Sequence, residues 1–384
     1  MKHPLRVALV SCSTFIILSQ TGLAQSQTAE IDELRQRVDA LEAELEEGRP
    51  NLSFGIAKNT SIEIYGFARF EAFYDFDFEQ GDLSRASRVG DPEFATDGEF
   101  DTSVRVSRFG IRTSTDTGIG PIETQLEFDL FGSGGDDSSS PNLRLRHANI
   151  NIDDQVLLGQ FWTNFMPLVH YPTTADFNGP VGITFARVPQ ARYTYRTENG
   201  FTFSGSVEES NGGASDPVFT AAALYTGDNF SLRAAGLTGT FNDNDETFDT
   251  NGFTLSGSVS LWEGGSLTGT YVTGDALGNL LIGGGDRVVG GETNSSDGFT
   301  LALSQKVTDK VTLNLAYGDE SYDLATQIGS SNNAFTDLQS VHATVFYNPV
   351  ERLTLAAEYI NIQSDGPDFS AEADRIGLSA TFSF

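Results

Sequence analysis

Arg375-Ile-Gly-Leu-Ser-Ala-Thr-Phe-Ser-Phe384 alternates without a break. Ile376, Leu378, Ala380, Phe382 and Phe384 are apolar, and Gly377, Ser379, Thr381 and Ser383 between them are small or polar. Successive side chains of a strand point to opposite faces, so this segment has one greasy face and one polar face. Its ten residues are about the length a tilted strand needs to cross a bilayer. It reads as the closing strand of a transmembrane barrel, with lipid on one side and water on the other.

The same alternation recurs upstream. Between Ile62 and Phe78, Ile62, Ile64, Ala68, Phe70, Tyr74, Phe76 and Phe78 share one face. Glu63, Arg69, Glu71, Asp75 and Asp77 share the other. Ile122, Thr124, Leu126, Phe128 and Leu130 alternate with Glu123, Gln125, Glu127 and Asp129. Charges in mid-strand suit a wet lumen better than the core of a soluble sandwich. The pattern predicts an all-β fold, a 16-stranded antiparallel transmembrane β-barrel. Expected strand centres run from Phe70, Phe109 and Leu126 through Arg146, Leu158, Thr194 and Ser204 to Ala343, Ala356 and Ala380. Short turns such as Asp153–Asp154 and Thr197–Gly200 alternate with long loops such as Glu79–Asp101, Asp275–Asp297 and Asp319–Asp337. With an even strand number, both ends of the barrel fall on the periplasmic side.

Composition agrees. The 384 residues are only 39% hydrophobic, with 40 Gly and 29 Phe, and no apolar run beyond the first residues could span a membrane as a helix. Lys2 and Arg6, the apolar run Val7–Leu18 and Gly22-Leu23-Ala24 read as a signal peptide over residues 1–24. An anchored helix and a lipid attachment at Cys12 are the alternatives. Cys12 is the single cysteine, so the mature chain has none. The net charge is −30, which excludes nucleic acid as a partner. Ile31, Leu34, Val38, Leu41 and Leu45 recur at heptad spacing. They predict a short coiled-coil helix within residues 25–50, placed in the periplasm, or an amphipathic helix docked on its own domain. A linker follows at 51–61, and the barrel at 62–384.

A water-filled pore selects by width and wall charge. Nineteen of the 23 basic residues are arginines, since only Lys2, Lys58, Lys306 and Lys310 are lysines. Arg144 and Arg146 flank Leu145, Arg108 and Arg112 flank Phe109 and Ile111, and Arg192 and Arg196 flank Tyr193 and Tyr195. Each pair therefore faces away from lipid. Arg187 ends the longest loop, about Thr163 to Val188, the third on the long-loop side. That loop is expected to fold inward as a constriction, presenting Asn164, His170, Asp176 and Asn178. Clustered guanidinium groups would favour anions. The alternative is that they pair with the wall acids Glu71, Glu123, Glu127 and Asp129 and stiffen the barrel. Acid runs such as Asp243, Asp245, Glu246 and Asp249 are expected in the fifth loop, as solvated surface. The pattern offers no catalytic residues, metal site or cofactor motif.

Several motifs carry a family resemblance. They are Ile64-Tyr-Gly-Phe-Ala-Arg69, Ser107-Arg-Phe-Gly-Ile-Arg-Thr113, Leu143-Arg-Leu-Arg-His-Ala148, Leu158-Gly-Gln-Phe-Trp-Thr-Asn-Phe165 and Arg187-Val-Pro-Gln-Ala-Arg-Tyr193. Together with the heptad helix they resemble the DcaP-like trimeric porins of Gram-negative bacteria. The resemblance implies a homotrimer of such barrels, a periplasmic coiled coil and passage of small anions such as dicarboxylates; outer-membrane lipid and lipopolysaccharide are the expected surroundings of the barrel. It also implies Arg144, Arg146, Arg187 and Arg192 as pore residues. The acidic loops depart from an anion-selective pattern and leave a cation-tolerant general porin as the alternative. A barrel enzyme or a structural tether are more distant ones.

Overall fold

The computed structural model describes residues 59–132, 141–210, 216–244, 246–327 and 333–384. The expected signal segment, the coiled coil and nearly all of the linker lie outside them. Among the described residues sixteen antiparallel strands form one closed wall. They are β1 (Thr60–Asp75), β2 (Glu99–Ser103, continuing as Arg108–Thr117), β3 (Gly120–Asp129), β4 (Arg144–Ile152), β5 (Val156–Trp162), β6 (Arg187–Arg196), β7 (Phe201–Glu208) and β8 (Val218–Thr226). The wall continues with β9 (Phe230–Asp243), β10 (Glu246–Trp262), β11 (Gly265–Asp275), β12 (Ser295–Thr308), β13 (Val311–Thr326), β14 (Phe335–Val350), β15 (Leu353–Asp365) and β16 (Ser370–Ser383). Every strand centre expected from alternation falls inside its strand.

Closure is made by β1. Its upper part pairs with β16 from Phe67↔Ser383 to Asp75↔Arg375, and the Gly66 and Phe384 backbones exchange two hydrogen bonds. Its other edge pairs with both pieces of β2. Among the described residues no edge of the wall is left open, which is what a bilayer demands of a sheet. The outward face is greasy: Phe70, Phe109, Leu126, Leu158, Leu301 and Leu378 are all exposed in the isolated chain.

Turns at one end are two to four residues long, as at 118–119 and 197–200. The opposite end carries the loops. Three loop expectations need correcting. The pairing of β9 with β10 runs unbroken to Asp243↔Glu246, so Asp243, Glu246 and Asp249 sit on strands rather than in a fifth loop, and Asp245 lies outside the described residues. The ladder holds there because Phe241 lies against Phe248 and under Arg287, which makes the hairpin worth extending. Asp319 likewise lies within β13, and Asp101 within β2. Phe78 turns inward onto loop residues rather than continuing the lipid face.

The lumen is not uniformly wet. Near the loop end, Ala86 and Val89 of the first loop, Phe165 and Val181 of the third, and Leu277 and Leu281 of the sixth pack together. They rest on Leu338, Ile360, Ile362 and Ala373 of the wall. Each such side chain, fully buried, contributes about 1.5–3 kcal/mol. A small core therefore sits inside the barrel mouth and carries the third loop.

The loop backbone also needs bare wall. Gly182 has φ +83, and a Cβ there would meet Asp319 O at 2.1 Å. A Cβ on Gly318 would meet Val181 O at 2.2 Å. We expect Gly318→Ala to displace the third loop and cost about 1–3 kcal/mol. A lower midpoint for the heat-induced gel-mobility shift of the folded barrel would register this, and an unchanged midpoint would refute the close approach.

Candidate functional site

The third loop, residues 163–186, crosses the lumen and is fastened to the far wall by carboxylates. Glu208 on β7 accepts from Thr163 Oγ1 (2.5 Å) and Asn164 N (2.8 Å). Glu320 on β13 accepts from Gly182 N (2.9 Å) and Gly283 N (3.1 Å). Glu358 on β15 accepts from Ala175 N (3.3 Å) and Asp176 N (2.5 Å). Loop amides that leave water must be satisfied, and a buried carboxylate is the strongest acceptor available. The burial of Glu208, Glu320 and Glu358 has this cause.

The expected loop residues are brought into this seat rather than left free. Asn164 Oδ1 accepts from Ser204 Oγ (2.8 Å). His170 is buried between Ser256 Oγ (2.8 Å) and Ser231 Oγ (2.6 Å). Asp176 accepts from Ser84 N and Oγ (3.0 and 2.7 Å) and from Asn178 and Gly179 N. Asn178 O accepts from Tyr171 (2.5 Å). These side chains hold the loop's shape and tie it to the first loop.

The opposite wall, β2 to β6, carries the arginines. Arg144 makes a two-pronged bond to Asp129, at 2.9 and 2.6 Å. Arg146 reaches Glu127 (2.7 Å) and Asp129 (2.9 Å). Arg108 lies 3.5 Å from Glu127. A bulge places all of this. Arg144 pairs with Asp129, Leu145 with Phe128 and His147 with Glu127, so Arg146 is an extra residue without a cross-strand partner. Arg144, Arg146 and His147 all turn inward while Leu145 keeps its place toward lipid, which strict alternation would forbid. Both sequence readings of the arginines therefore meet here: they cluster, and they pair with the wall acids Glu127 and Asp129. Glu71 instead pairs with Arg69 (2.6 Å), and Glu123 makes no hydrogen bond or ion pair among the described residues.

Arg187 opens β6 beside this cluster, with Arg146, Arg144, Asp129 and Arg108 as electrostatic neighbours. Its guanidinium lies over Trp162 at 4.8 Å, and its Nη1 is buried without a hydrogen-bond partner. Arg192 is used structurally, donating to Gln190 Oε1 (2.9 Å) and Trp162 O (2.5 Å). Arg112 and Arg196 lie lower, toward the turns. Arg112 faces Glu63 at 3.5 Å and stacks on Tyr65, and Arg196 pairs with Asp154 at 2.9 Å. Sequence reasoning missed the fastening glutamates and the aromatic backing formed by Phe131, Trp162, Phe177 and Phe185 around the arginines. Their inward parity was readable for Glu208, Glu320 and Glu358, but nothing in the sequence marked the amides they would receive.

A closed sixteen-stranded wall, a loop folded into its lumen and an arginine face opposite that loop define an outer-membrane porin. The chain belongs to the DcaP outer membrane protein family, whose profile matches residues 39–264. No curated protein sequence matches the chain. Among solved structures, the DcaP channel of Acinetobacter baumannii is 24% identical with TM-score 0.78, covering 86% of this chain and 99% of that one. An anion-selective porin from Comamonas acidovorans is 14% identical with TM-score 0.59, covering 85% and 100%. The trimer form of OmpT of Vibrio cholerae is 15% identical with TM-score 0.58, also covering 85% and 100%. These likenesses are of fold.

Two predictions follow from the seat. Glu320→Ala strands two loop amides and should cost about 2–5 kcal/mol. Proteolytic nicking within residues 163–186 should rise while the barrel stays closed, and a loop as resistant as the wild type would refute the fastening role. His170 is held down to a pKa of about 4 by burial, with Arg233 adding to the effect. Its neutral form is the seated one, so stability is full above the unfolded value of about 6.5 and is lost as pH falls toward 4. Loop protection from protease should therefore drop across that window, and less so in His170→Gln.

Proposed function

We propose that the protein is a passive, water-filled channel for small hydrophilic solutes that favours small organic anions such as dicarboxylates, and that it performs no chemistry on them. The observation that carries this reading is the charge balance at the arginine face. Glu127 and Asp129 neutralise two of the three guanidinium groups they hold, and Arg187 stands beside them with a buried Nη1 that has no hydrogen-bond partner. A carboxylate passing there meets net positive charge and the part-exposed guanidinium groups of Arg144 and Arg108, whose planar fork matches it. The anion-selective Comamonas porin of the same fold supports the reading.

We further propose a homotrimer, as in the trimer form of the Vibrio OmpT, embedded in outer-membrane lipid and lipopolysaccharide. The turns and the segment 25–50 would face the periplasm, with that segment as a coiled coil. The second reading, a cation-tolerant general porin, is favoured by Glu63 and the unpaired Glu123 on the lower wall.

Arg187→Ala should lower the anion-to-cation permeability ratio about sevenfold, since one charge lost at roughly 7 Å in a wet lumen shifts anion and cation each about 2.7-fold in opposite directions. Asp129→Asn should raise it, because it removes a negative charge that holds Arg144 and leaves Arg146 to Glu127 alone. Reversal potentials of the reconstituted channel in a KCl gradient decide this. Cation preference in the wild type, unmoved by Arg187→Ala, would discard the anion assignment and favour the second reading.

A further inference from the structure

Below the arginine face, toward the turns, the lumen holds a cavity of about 260 Å³. That is far more than the roughly 10–15 Å³ an ordered water occupies on the same measure. It is walled by the inner faces of β1 to β5, with Glu63, Arg112, Glu123, Gln125, Asn149 and Phe161 among its lining. Its chemistry differs from the layer above. Where β3 and β4 carry Glu127, Asp129, Arg144 and Arg146 in the upper layer, they carry Gln125, Glu123, Asn149 and Asn151 here.

The amides are oriented by their own bonds. Gln125 Nε2 donates to Tyr65 Oη (2.7 Å), and Tyr65 in turn donates to Glu127 Oε2 (3.0 Å). The Asn149 amide donates to Gln125 Oε1 (3.4 Å) and Gln160 O (3.5 Å). The Asn151 amide donates to Asp154 Oδ1 (3.3 Å). Asn149 Oδ1 and Asn151 Oδ1 accept no hydrogen bond among the described residues, and Glu123 adds a carboxylate in the same condition. The cavity is therefore rich in acceptors. Arg112, half exposed, is its one strong donor, and its charge is balanced by Glu63. Phe161 and Leu157 give the cavity an apolar floor.

We propose that this cavity is a second solute station, selective for a neutral hexopyranose. A pyranose ring carries many O–H donors around its rim, which the unfilled oxygens of Asn149, Asn151 and Glu123 accept. It also has an apolar C–H face, which lies on Phe161. An anion is disfavoured because only Arg112 would receive it. The station is independent of the anion preference argued above, since it uses a different layer of the wall.

The test is saturation-transfer NMR on the detergent-purified protein with D-glucose at millimolar concentration, which needs no conducting channel. Transfer to the glucose ring protons is expected. It should weaken about tenfold in Asn149→Ala combined with Glu123→Ala, which removes two hydrogen bonds. Phe161→Leu should weaken it separately while leaving the acceptors in place. Absence of transfer in the folded wild type, or undiminished transfer in both variants, would overturn the station. Transfer to ethanolamine but not to glucose would overturn the hexose assignment, because the acceptors would then be serving a cation. A cation-preferring reversal potential beside intact glucose transfer would remove the anion reading and leave this one standing.

Discussion

A sheet in hydrocarbon has no water to satisfy its backbone, so every edge must meet another edge. The pairing of β1 with β16 on one side and with the two pieces of β2 on the other meets that demand. The interior then becomes a space enclosed by polar residues, and whatever enters it faces the same requirement again. The third loop enters with bare amides, and Glu208, Glu320 and Glu358 supply the acceptors. The small core of loop and wall residues under the mouth gives the loop its floor. Wall, loop and arginine face are one consequence drawn out in three steps.

Electrostatics follows the same logic. Arginines pressed against a wall and an aromatic backing would be costly unless paired, because a desolvated charge needs a counter-charge with good geometry. Asp129 and Glu127 provide it for Arg144, Arg146 and Arg108, and fix where those groups point. The acids that looked like competitors for the arginines in the sequence are the reason the arginines stand in one place.

The wall was legible because its signal is physical and repeated. Period-two alternation places Phe70 and Leu378 toward lipid and Glu71 and Asp129 inward. The fifth loop was misread because acids such as Asp249 suggest solvent, whereas an exposed strand carries acids without penalty. The Arg146 bulge was invisible because Arg144-Leu-Arg146 alternates perfectly well, and only the cross-strand register reveals the added residue. The lumenal core was missed because the loops that meet Ile360 and Ile362 there, around Val89, Phe165 and Leu277, are far away in sequence. Of the site, the inward arginines could be read. Which of them would be neutralised depended on neighbours across the sheet.

The distances spanned by the loop seat also bear on how the chain assembles. Asp176 meets Glu358 across 182 positions, and Ser84 meets Asp176 across 92. No local segment can form those contacts, and loop-closure entropy is spent before any of them repays it. While the wall is an open sheet, Glu320 and Glu358 lie many strands away from the third loop, and Glu208 alone, two strands along, can meet its first residues. They converge on one lumen only after β16 has reached β1. Seating of the third loop on Glu320 and Glu358 therefore needs a closed wall, and a barrel whose loop is not yet seated is wider than the finished one.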